Sequence, residues 1–292
     1  MEKKTIVVIG ATGLQGKGVV NALDEQGSFN VIAATRRPDN YSGKANEVAY
    51  ADLNDVSSLI AAFKNAYGVF VVTNFLENQD ERSLVINAIE ASKKTGIRHF
   101  VWSTLPDVES ISKGAFNVPF FTGKAKINQL VKDAGFRYHT FVQPPFYFQN
   151  FTGMLAPQPK EDGSTGWTFP IDPAKKTIHL GDINDLGKVV TGAFLQPEKT
   201  GNGSTLSFSA QLSSFNEILE AYSKNGKTYS FTQVTAEVFS TFFLGADLYA
   251  NMFNYMEKYT YMGPDSDKNI SLAQEIAKDK FVTLNEWIKQ NN

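Results

Sequence analysis

Three glycines lie where an apolar run passes into a helical pattern. The run from Thr5 to Ile9 is followed by Gly10, Gly13 and Gly16. In a strand–turn–helix unit, the first glycine allows a tight turn, the second lets the backbone approach a pyrophosphate, and the third lets the helix pack closely on the strand. The start of the helix also offers unpaired N–H groups and a partial positive charge to phosphates. The pattern predicts a dinucleotide-binding loop, whose expected contact residues are Gly10, Thr12, Gly13, Leu14, Gln15 and Gly16.

The residues after the second predicted strand indicate which dinucleotide is bound. A protein that binds NAD usually has Asp or Glu here, as a partner for the ribose 2′-hydroxyl. This chain has Arg36 and Arg37 instead. A guanidinium can bind a 2′-phosphate through two parallel hydrogen bonds, whereas a carboxylate repels it. We therefore predict a preference for NADP(H), with Arg36 as the first contact and Arg37 as the second; two solvated surface arginines are the alternative. Asp52 and Leu53, after the third strand, are expected to flank the adenine, and a helix-capping role for the turn that follows is compatible with this.

The elements that must hold these residues alternate between short apolar runs and helical patterns. Consecutive apolar residues are typical of parallel strands that are buried on both faces. The predicted strands are Thr5 to Ile9, Asn30 to Thr35, Glu47 to Ala51, Gly68 to Thr73, His99 to Ser103 and Tyr138 to Val142. Helices are predicted between them, over Leu14 to Glu25 and Val56 to Lys64 and around Leu84 to Ile89 and Ile127 to Ala134. This alternation predicts an α/β fold with a doubly wound parallel sheet.

The pattern changes near residue 150, which suggests two parts. We assign residues 1–150 to the dinucleotide-binding domain and residues 151–292 to a smaller α+β region for a substrate or partner. The segment Gly153 to Pro173 is rich in Gly and Pro and predicts loops and turns. Short strands are predicted later, and the sequence leaves open whether segments within 177–210 rejoin the main sheet.

Composition excludes several classes of protein. With 28 Lys and Arg against 30 Asp and Glu, the net charge of −2 argues against direct nucleic-acid binding and against a polybasic membrane protein. The absence of cysteine excludes disulfides, thiolate metal sites and a Cys nucleophile. The three histidines are far apart in the sequence, and we predict no metal site. The first apolar run begins too early for a signal peptide, and no run approaches the ~18 apolar residues of a membrane span. We therefore expect a cytoplasmic protein, with the nucleus open if the source is eukaryotic.

Taken together, the motifs resemble those of the NmrA-like family, an atypical branch of the short-chain dehydrogenase/reductase superfamily. The segments that carry the resemblance are Gly10 to Gly16, Thr35-Arg36, Val72 to Phe75, Trp102 to Thr104, Phe121 to Lys124, Gln143 to Asn150 and Asp182 to Gly187. The resemblance covers nearly the whole chain and implies an NADP-binding Rossmann fold. It further implies one of two activities: redox sensing with a bound regulatory protein, such as a transcription factor, or hydride transfer as in the isoflavone and quinone reductases.

One residue departs from the pattern of active reductases in this superfamily. Their Tyr-x-x-x-Lys motif supplies a Tyr that protonates a carbonyl oxygen and a Lys that lowers the pKa of the Tyr and holds the ribose. Here Phe120 stands four residues before Lys124, so the Tyr is absent. Lys124 shares the inward stripe of its predicted helix and needs an anionic or hydroxylated partner, which a ribose and phosphate would provide. We predict that Lys124 contacts the cofactor and is the catalytic residue if there is one; a lysine that extends to solvent from the helix start is the alternative.

Residues at the carboxyl ends of the middle strands are predicted to contact the nicotinamide side of the cofactor. They are Thr73, Asn74, Phe75 and Ser103. A strand-end turn is the alternative for the first three, and a bond to a loop is the alternative for Ser103. The resemblance implies that the nicotinamide end is capped by Tyr147, Phe148, Gln149 and Asn150. Tyr147 is also considered as a displaced proton donor, although an aromatic wall is favoured.

These observations favour two functions over a third, a scaffold with a vestigial site, because Arg36 and Lys124 are both present. The favoured one is an NADP(H)-binding, redox-sensing regulator whose cofactor-bound and empty states are distinguished by a protein partner. The alternative is an NADPH-dependent reductase of quinones or other conjugated flat substrates, because water can supply the proton. The aromatic residues that suit a flat ligand, or equally an apolar interior, are Phe75, Phe120, Phe121, Phe146, Tyr147 and Phe151. The Phe-rich stretch from Phe239 to Tyr261 fits either a core or a homodimer surface.

Overall fold

A computed structural model describes residues 2–77, 80–153, 155–224 and 228–291 of the chain. Its strands are β1 (Lys4–Ile9), β2 (Phe29–Thr35), β3 (Glu47–Tyr50), β4 (Gly68–Val71), β5 (His99–Ser103), β6 (Tyr138–Gln143), β7 (Phe146–Tyr147), β8 (Gln158–Pro159), β9 (Thr165–Phe169), β10 (Ile178–Gly181), β11 (Asn202–Ser207), β12 (Gln211–Ser213) and β13 (Tyr229–Gln233). Its α-helices are α1 (Leu14–Gln26), α2 (Val56–Phe63), α3 (Glu81–Thr95), α4 (Val108–Ser112), α5 (Pro119–Asp133), α6 (Leu186–Leu195), α7 (Pro197–Thr200), α8 (Phe215–Ser223), α9 (Ala236–Phe239), α10 (Ala246–Tyr259), α11 (Asp267–Ala277) and α12 (Leu284–Asn291).

Within the described ranges, seven parallel strands form the central sheet in the order β3-β2-β1-β4-β5-β6-β11. The strand order reverses direction between β1 and β4, because the chain runs outward to β3 and then returns. The predicted doubly wound parallel sheet is thereby confirmed. A crevice opens beyond the carboxyl ends of the strands at such a reversal, which is where ligands bind in this class of sheet.

Helices cover both faces of the sheet. Helices α1, α6 and α11 pack on one face, and α2, α3 and α5 pack on the other. The α1–α6 crossing depends on two glycines, since a Cβ atom on Gly187 would lie 2.2 Å from the carbonyl oxygen of Gly18. This close crossing fixes α1, and therefore the glycine loop at its start, against the body of the protein.

The C-terminal part adds two small sheets and one strand of the main sheet. Strand β11 pairs with β6 in the central sheet, whereas β10 pairs with β7 and β12 in a separate sheet. The prediction of only loops and turns over Gly153 to Pro173 is wrong, because β8 and β9 lie there. Strand β9 pairs along its length with β13, which lies more than fifty residues later in the sequence. The residues near β9 in the sequence therefore do not reveal the strand that stabilises it.

In addition to the two cores on the faces of the central sheet, the aromatic residues of the second half form a third core. Helices α8, α10 and α12 and strand β9 close around Trp167, Phe169, Phe215 and Phe253, all buried. In the stretch from Phe239 to Tyr261, the connection before α10 is the exception, because Phe242, Phe243 and Leu244 are exposed. Nowhere in the described ranges does a helix have the length and apolar character that a membrane crossing requires.

Candidate functional site

A cavity of about 580 Å³ lies at the carboxyl ends of β1, β2 and β4, at the reversal of strand order. The glycine loop, the segment after β6 and α10 all contribute to its lining. The structure brings most of the predicted site residues together there: Gly10, Thr12, Gly13, Leu14, Gln15, Gly16, Arg36, Asp52, Leu53, Thr73, Asn74, Phe75, Lys124, Tyr147 and Asn150.

The backbone of the glycine loop has a conformation and a close packing that favour glycine over residues with a side chain. Gly10 has a positive φ of 74°, a conformation that favours glycine. A Cβ atom on Gly16 would lie 2.1 Å from the carbonyl oxygen of Gly10, so α1 can meet the strand closely only if this residue is glycine. Gly13 is the N-cap of α1 and provides no side chain to cap it, and the first turn contains no acidic residue. These features leave the N-terminus of α1 open to an anion.

Arg36 is paired with a carboxylate from the connection that follows β4. Its Nη1 lies 3.1 Å from Oε2 of Glu77, and its Nη2 donates to Oε1 of Glu77 at 3.1 Å. Both residues line the cavity, although their side chains are 55% and 38% exposed. The guanidinium of Arg36 therefore lies at the predicted position, but it is bound to the carboxylate of Glu77.

Asp52 contributes to the cavity and also shapes the turn that follows. Its Oδ1 accepts a hydrogen bond from the backbone N–H of Asn54 at 2.9 Å, while Asp55 caps α2 by accepting from the N–H groups of Ser57 and Ser58. The carbonyl of Leu53 is held by Asn87 Nδ2 at 2.8 Å. Asp52 and Leu53 thus line the cavity, while Asp55 in the same segment caps α2.

Lys124 is buried, with three acceptors from the protein around its ammonium group. Its Nζ donates to the carbonyl oxygen of Thr73 at 2.8 Å, to Thr73 Oγ1 at 2.8 Å and to Glu81 Oε1 at 2.5 Å. The side chains of Lys124 and Glu81 are only 8% and 12% exposed. Burial lowers the pKa of Lys124, and the carboxylate of Glu81 acts in the opposite direction. The partner expected from a ribose and phosphate is therefore already supplied by Glu81 and Thr73, and Lys124 does not extend to solvent.

Four predicted site residues lie outside the cavity lining. Arg37 is exposed beyond it, and Ser103 donates to Gln15 Oε1 at 2.8 Å. Phe148 is fully buried against Trp287, with 5.8 Å between the ring centroids. Gln149 donates to Asp182 Oδ1 at 2.7 Å. The last three side chains are engaged by the protein itself. Ser103 bonds Gln15 in the first turn of α1, so its partner is a helix residue rather than the loop that was its alternative.

The hydroxyl of Tyr147 is buried, although the residue lines the cavity. Among the described residues, this oxygen has no hydrogen-bond partner. Burial, together with the neighbouring Tyr261 and Asp182, raises the pKa of Tyr147 well above its ordinary value near 10. In this conformation the residue presents an aromatic surface to the cavity, while its proton is sealed from a ligand.

Several lining residues were not found from the sequence. Glu77, which lies in the connection after β4, is one of them, and Glu81, at the start of α3, pairs with the lining residue Lys124. Neither was predicted, because charged residues in such connections usually face solvent. The aromatic wall is completed by Tyr249 on α10, whose ring centroid lies 5.6 Å from that of Phe120. Further lining residues from distant segments are Leu105, Leu155, Ile183, Met252 and Tyr261.

The histidines lie away from the cavity lining. His99 is fully buried at the start of β5, and its Nε2 lies 2.9 Å from Thr140 Oγ1. Burial, aided by the nearby His139 and Lys4, lowers the pKa of His99 to about 3. Over the residues that the structure describes, no three His, Asp or Glu side chains are grouped as a metal ion would require.

Comparison with known proteins gives a consistent result. The chain is 29% identical over 308 residues to an NmrA-like family domain-containing protein of Dictyostelium discoideum, covering 99% of this chain and 98% of that one. It is 30% identical over 239 residues to an NmrA-like family domain-containing oxidoreductase of a Cladobotryum species, covering 73% and 71%. The crystal structure of NmrA, a negative transcriptional regulator, in complex with NADP superposes with a TM-score of 0.82 at 22% identity, covering 99% of this chain and 95% of that one. The model of the NmrA-like family matches residues 2–288, and the chain belongs to this family.

Proposed function

We propose that this protein binds NADP(H) in the cavity and acts as a redox-sensing regulator. The observation that carries the binding proposal is that the glycine loop and Arg36 line the same cavity. The loop offers backbone N–H groups at the start of α1, and Arg36 offers a guanidinium to a 2′-phosphate. The similar fold of NmrA, a negative transcriptional regulator whose structure was solved with NADP, supports NADP(H) binding and a regulatory role.

The residues present fit a dinucleotide. A Cβ atom on Gly13 would meet only the carbonyl oxygen of Gly10, at 3.3 Å, so the space beyond it is cavity rather than protein. Gly13 would face the pyrophosphate, Arg36 the 2′-phosphate, and Asp52 and Leu53 the adenine. The nicotinamide ring, when bound, would supply the redox chemistry, because it can be oxidised or reduced.

The regulatory role is supported by the surroundings of the expected nicotinamide end. Phe120 replaces the tyrosine of the reductase motif, and the hydroxyl of Tyr147 is buried. All three protons of Lys124 are engaged by Glu81 and Thr73. A site in which these groups are withheld from a ligand is better suited to holding a cofactor than to proton transfer.

A series of contacting aromatic rings connects this end of the cavity with the surface. The ring centroid of Phe75 lies 5.0 Å from that of Phe120, Phe120 lies 5.6 Å from Tyr249, and Tyr249 lies 5.8 Å from Phe243. Phe243 is exposed together with Phe242 and Leu244. We assign the protein partner to this exposed connection, because a change in the cavity can reach it through contacting rings. Such signalling requires that the cofactor favour one arrangement of the rings over another.

The second candidate function is NADPH-dependent reduction of a flat conjugated substrate such as a quinone. It is favoured by the apolar compartment beside the expected nicotinamide, formed by Leu105, Phe121, Phe146 and Met252. In this reaction NADPH transfers a hydride to the quinone and becomes NADP⁺, and one proton from solvent completes the hydroquinone. In net terms, quinone, NADPH and one proton give hydroquinone and NADP⁺, so the hydride and the single added proton account for both new hydrogens.

One experiment separates the two functions. NADPH binding is measured by calorimetry, and NADPH oxidation is then screened over quinones and enals with wild type and Lys124→Ala. The regulatory proposal expects tight NADPH binding and no turnover above the rate without protein. Turnover that is lost in Lys124→Ala favours the reductase, and absence of NADPH binding contradicts both.

A further inference from the structure

The pairing of Arg36 with Glu77 has a consequence for cofactor choice. We propose that Glu77 competes with the 2′-phosphate of NADP(H) for Arg36 and thereby limits the preference of this chain for NADP(H) over NAD(H). The inference rests on the proposed function, since it concerns the same cavity and assumes that the adenosine ribose lies beside Arg36.

Arg36 and Glu77 form a bidentate ion pair. Both terminal nitrogens of Arg36 meet a carboxylate oxygen of Glu77, each at 3.1 Å. A phosphate would use the same kind of parallel hydrogen bonds to a guanidinium. The carboxylate therefore occupies the edge of Arg36 that is best suited to a phosphate. If the phosphate uses another edge of the guanidinium, the negative charge of Glu77 still lies close to it and repels it.

The exposure of the pair makes displacement feasible. The side chains of Arg36 and Glu77 are both more than a third exposed, so water screens their attraction. A dianionic phosphate can displace such a carboxylate, but its net gain is reduced by the loss of the pair. Glu77 therefore weakens NADP(H) binding without preventing it.

NAD(H) presents the opposite case. Its ribose 2′-hydroxyl is neutral and can donate a hydrogen bond, and a carboxylate is the usual acceptor at this corner of the fold. Glu77 comes from the connection after β4, whereas that usual carboxylate follows the second strand, where this chain has Arg36. One corner of the cavity thus combines a cation that favours the phosphate with a carboxylate that favours the hydroxyl.

The test uses two ligands that differ only in the 2′-phosphate, namely 2′,5′-ADP and 5′-AMP. Their dissociation constants are measured by calorimetry at one low salt concentration, for wild type and Glu77→Gln. We expect Glu77→Gln to bind 2′,5′-ADP about 3- to 10-fold more tightly, and 5′-AMP within about twofold of wild type. The matched control is Glu90→Gln, which makes the same change in net charge at an exposed pair with Lys94 on α3 and should leave both constants unchanged.

A second background tests the competition itself. If Glu77 acts by occupying Arg36, the gain from Glu77→Gln should fall below about twofold when Arg36 is already Ala. An unchanged ratio of the two affinities in Glu77→Gln overturns the inference while wild-type binding of 2′,5′-ADP leaves the proposed function intact. If wild type binds neither ligand, the proposed function fails and the inference fails with it.

Discussion

The ammonium nitrogen of Lys124 lies 2.5 Å from a carboxylate oxygen of Glu81, and both side chains are nearly buried. The two contacts with Thr73 complete the set of acceptors around the ammonium. Lys124 stands at the lysine position of the reductase motif, and its positive charge is balanced by Glu81 even without a ligand. This arrangement makes Lys124 a structural link between α5 and the connection after β4, as well as part of the cavity lining.

Glu81→Gln should lower the free energy of unfolding by about 3 kcal/mol, because it leaves the buried ammonium of Lys124 without its counter-charge. Urea denaturation at pH 7 measures the change. The control Glu90→Gln, at an exposed pair, should change stability by less than about 0.5 kcal/mol. The double variant Lys124→Met/Glu81→Leu should recover most of the loss, since an apolar pair replaces a buried ionic one. Equal stability of Glu81→Gln and Glu90→Gln would show that the buried pair has no structural role.

The parallel sheet was predictable because its signals are local. Apolar runs such as Thr5 to Ile9 and His99 to Ser103 mark buried strands wherever their neighbours lie, and the glycine loop has its own spacing. The position of the cavity was predictable for a similar reason, because the carboxyl ends of parallel strands meet at one edge of the sheet.

The charge pairs were not predictable, because they depend on contacts between distant segments. Arg36 and Glu77 are 41 positions apart, and Lys124 and Glu81 are 43 positions apart. Tyr249 reaches the cavity from α10, more than a hundred residues after Phe120, and no spacing in the sequence relates the two. Strand β9 was missed for the same reason, since its partner β13 comes much later.

Gly13→Ala and Gly16→Ala should have different effects. A methyl group on Gly13 projects toward the cavity with only one close contact, at 3.3 Å, so the fold should persist while NADPH binding weakens by at least about tenfold. A methyl group on Gly16 would collide with the backbone of Gly10, so this variant should lose stability as well as binding. Melting curves and NADPH titrations measure the two effects. Gly123→Ala, where a Cβ atom meets nothing within 4 Å, is the control. Undiminished NADPH binding by Gly13→Ala would contradict the assignment of the loop.

Acid should destabilise the protein partly through its buried histidines. Burial lowers the pKa of His99 to about 3 and that of His179 to about 4, whereas an unfolded histidine has a pKa near 6.5. Below pH 6.5 the unfolded state therefore binds protons that the folded state does not, and stability falls as the pH is lowered toward 4 and then 3. Each of the two histidines should account for roughly 2 kcal/mol between pH 7 and pH 5.

Urea denaturation of wild type and His99→Gln at pH 7 and pH 5 tests this prediction. The loss between the two pH values should be about 2 kcal/mol smaller in the variant, because Gln does not titrate. Carboxylates contribute equally to both proteins and cancel in the comparison. An identical loss in wild type and variant would mean that His99 is protonated in the folded state.

The most direct measurement of the central claim is a pair of titrations with NADPH and NADH, on wild type and on Arg36→Glu. Wild type should bind NADPH more tightly than NADH. Arg36→Glu should weaken NADPH binding by about one to two powers of ten, since charged hydrogen bonds contribute roughly 1.5–3 kcal/mol, while NADH binding should change far less. Equal affinities of wild type for the two dinucleotides, or a parallel loss of both in Arg36→Glu, would contradict the placement of the 2′-phosphate at Arg36.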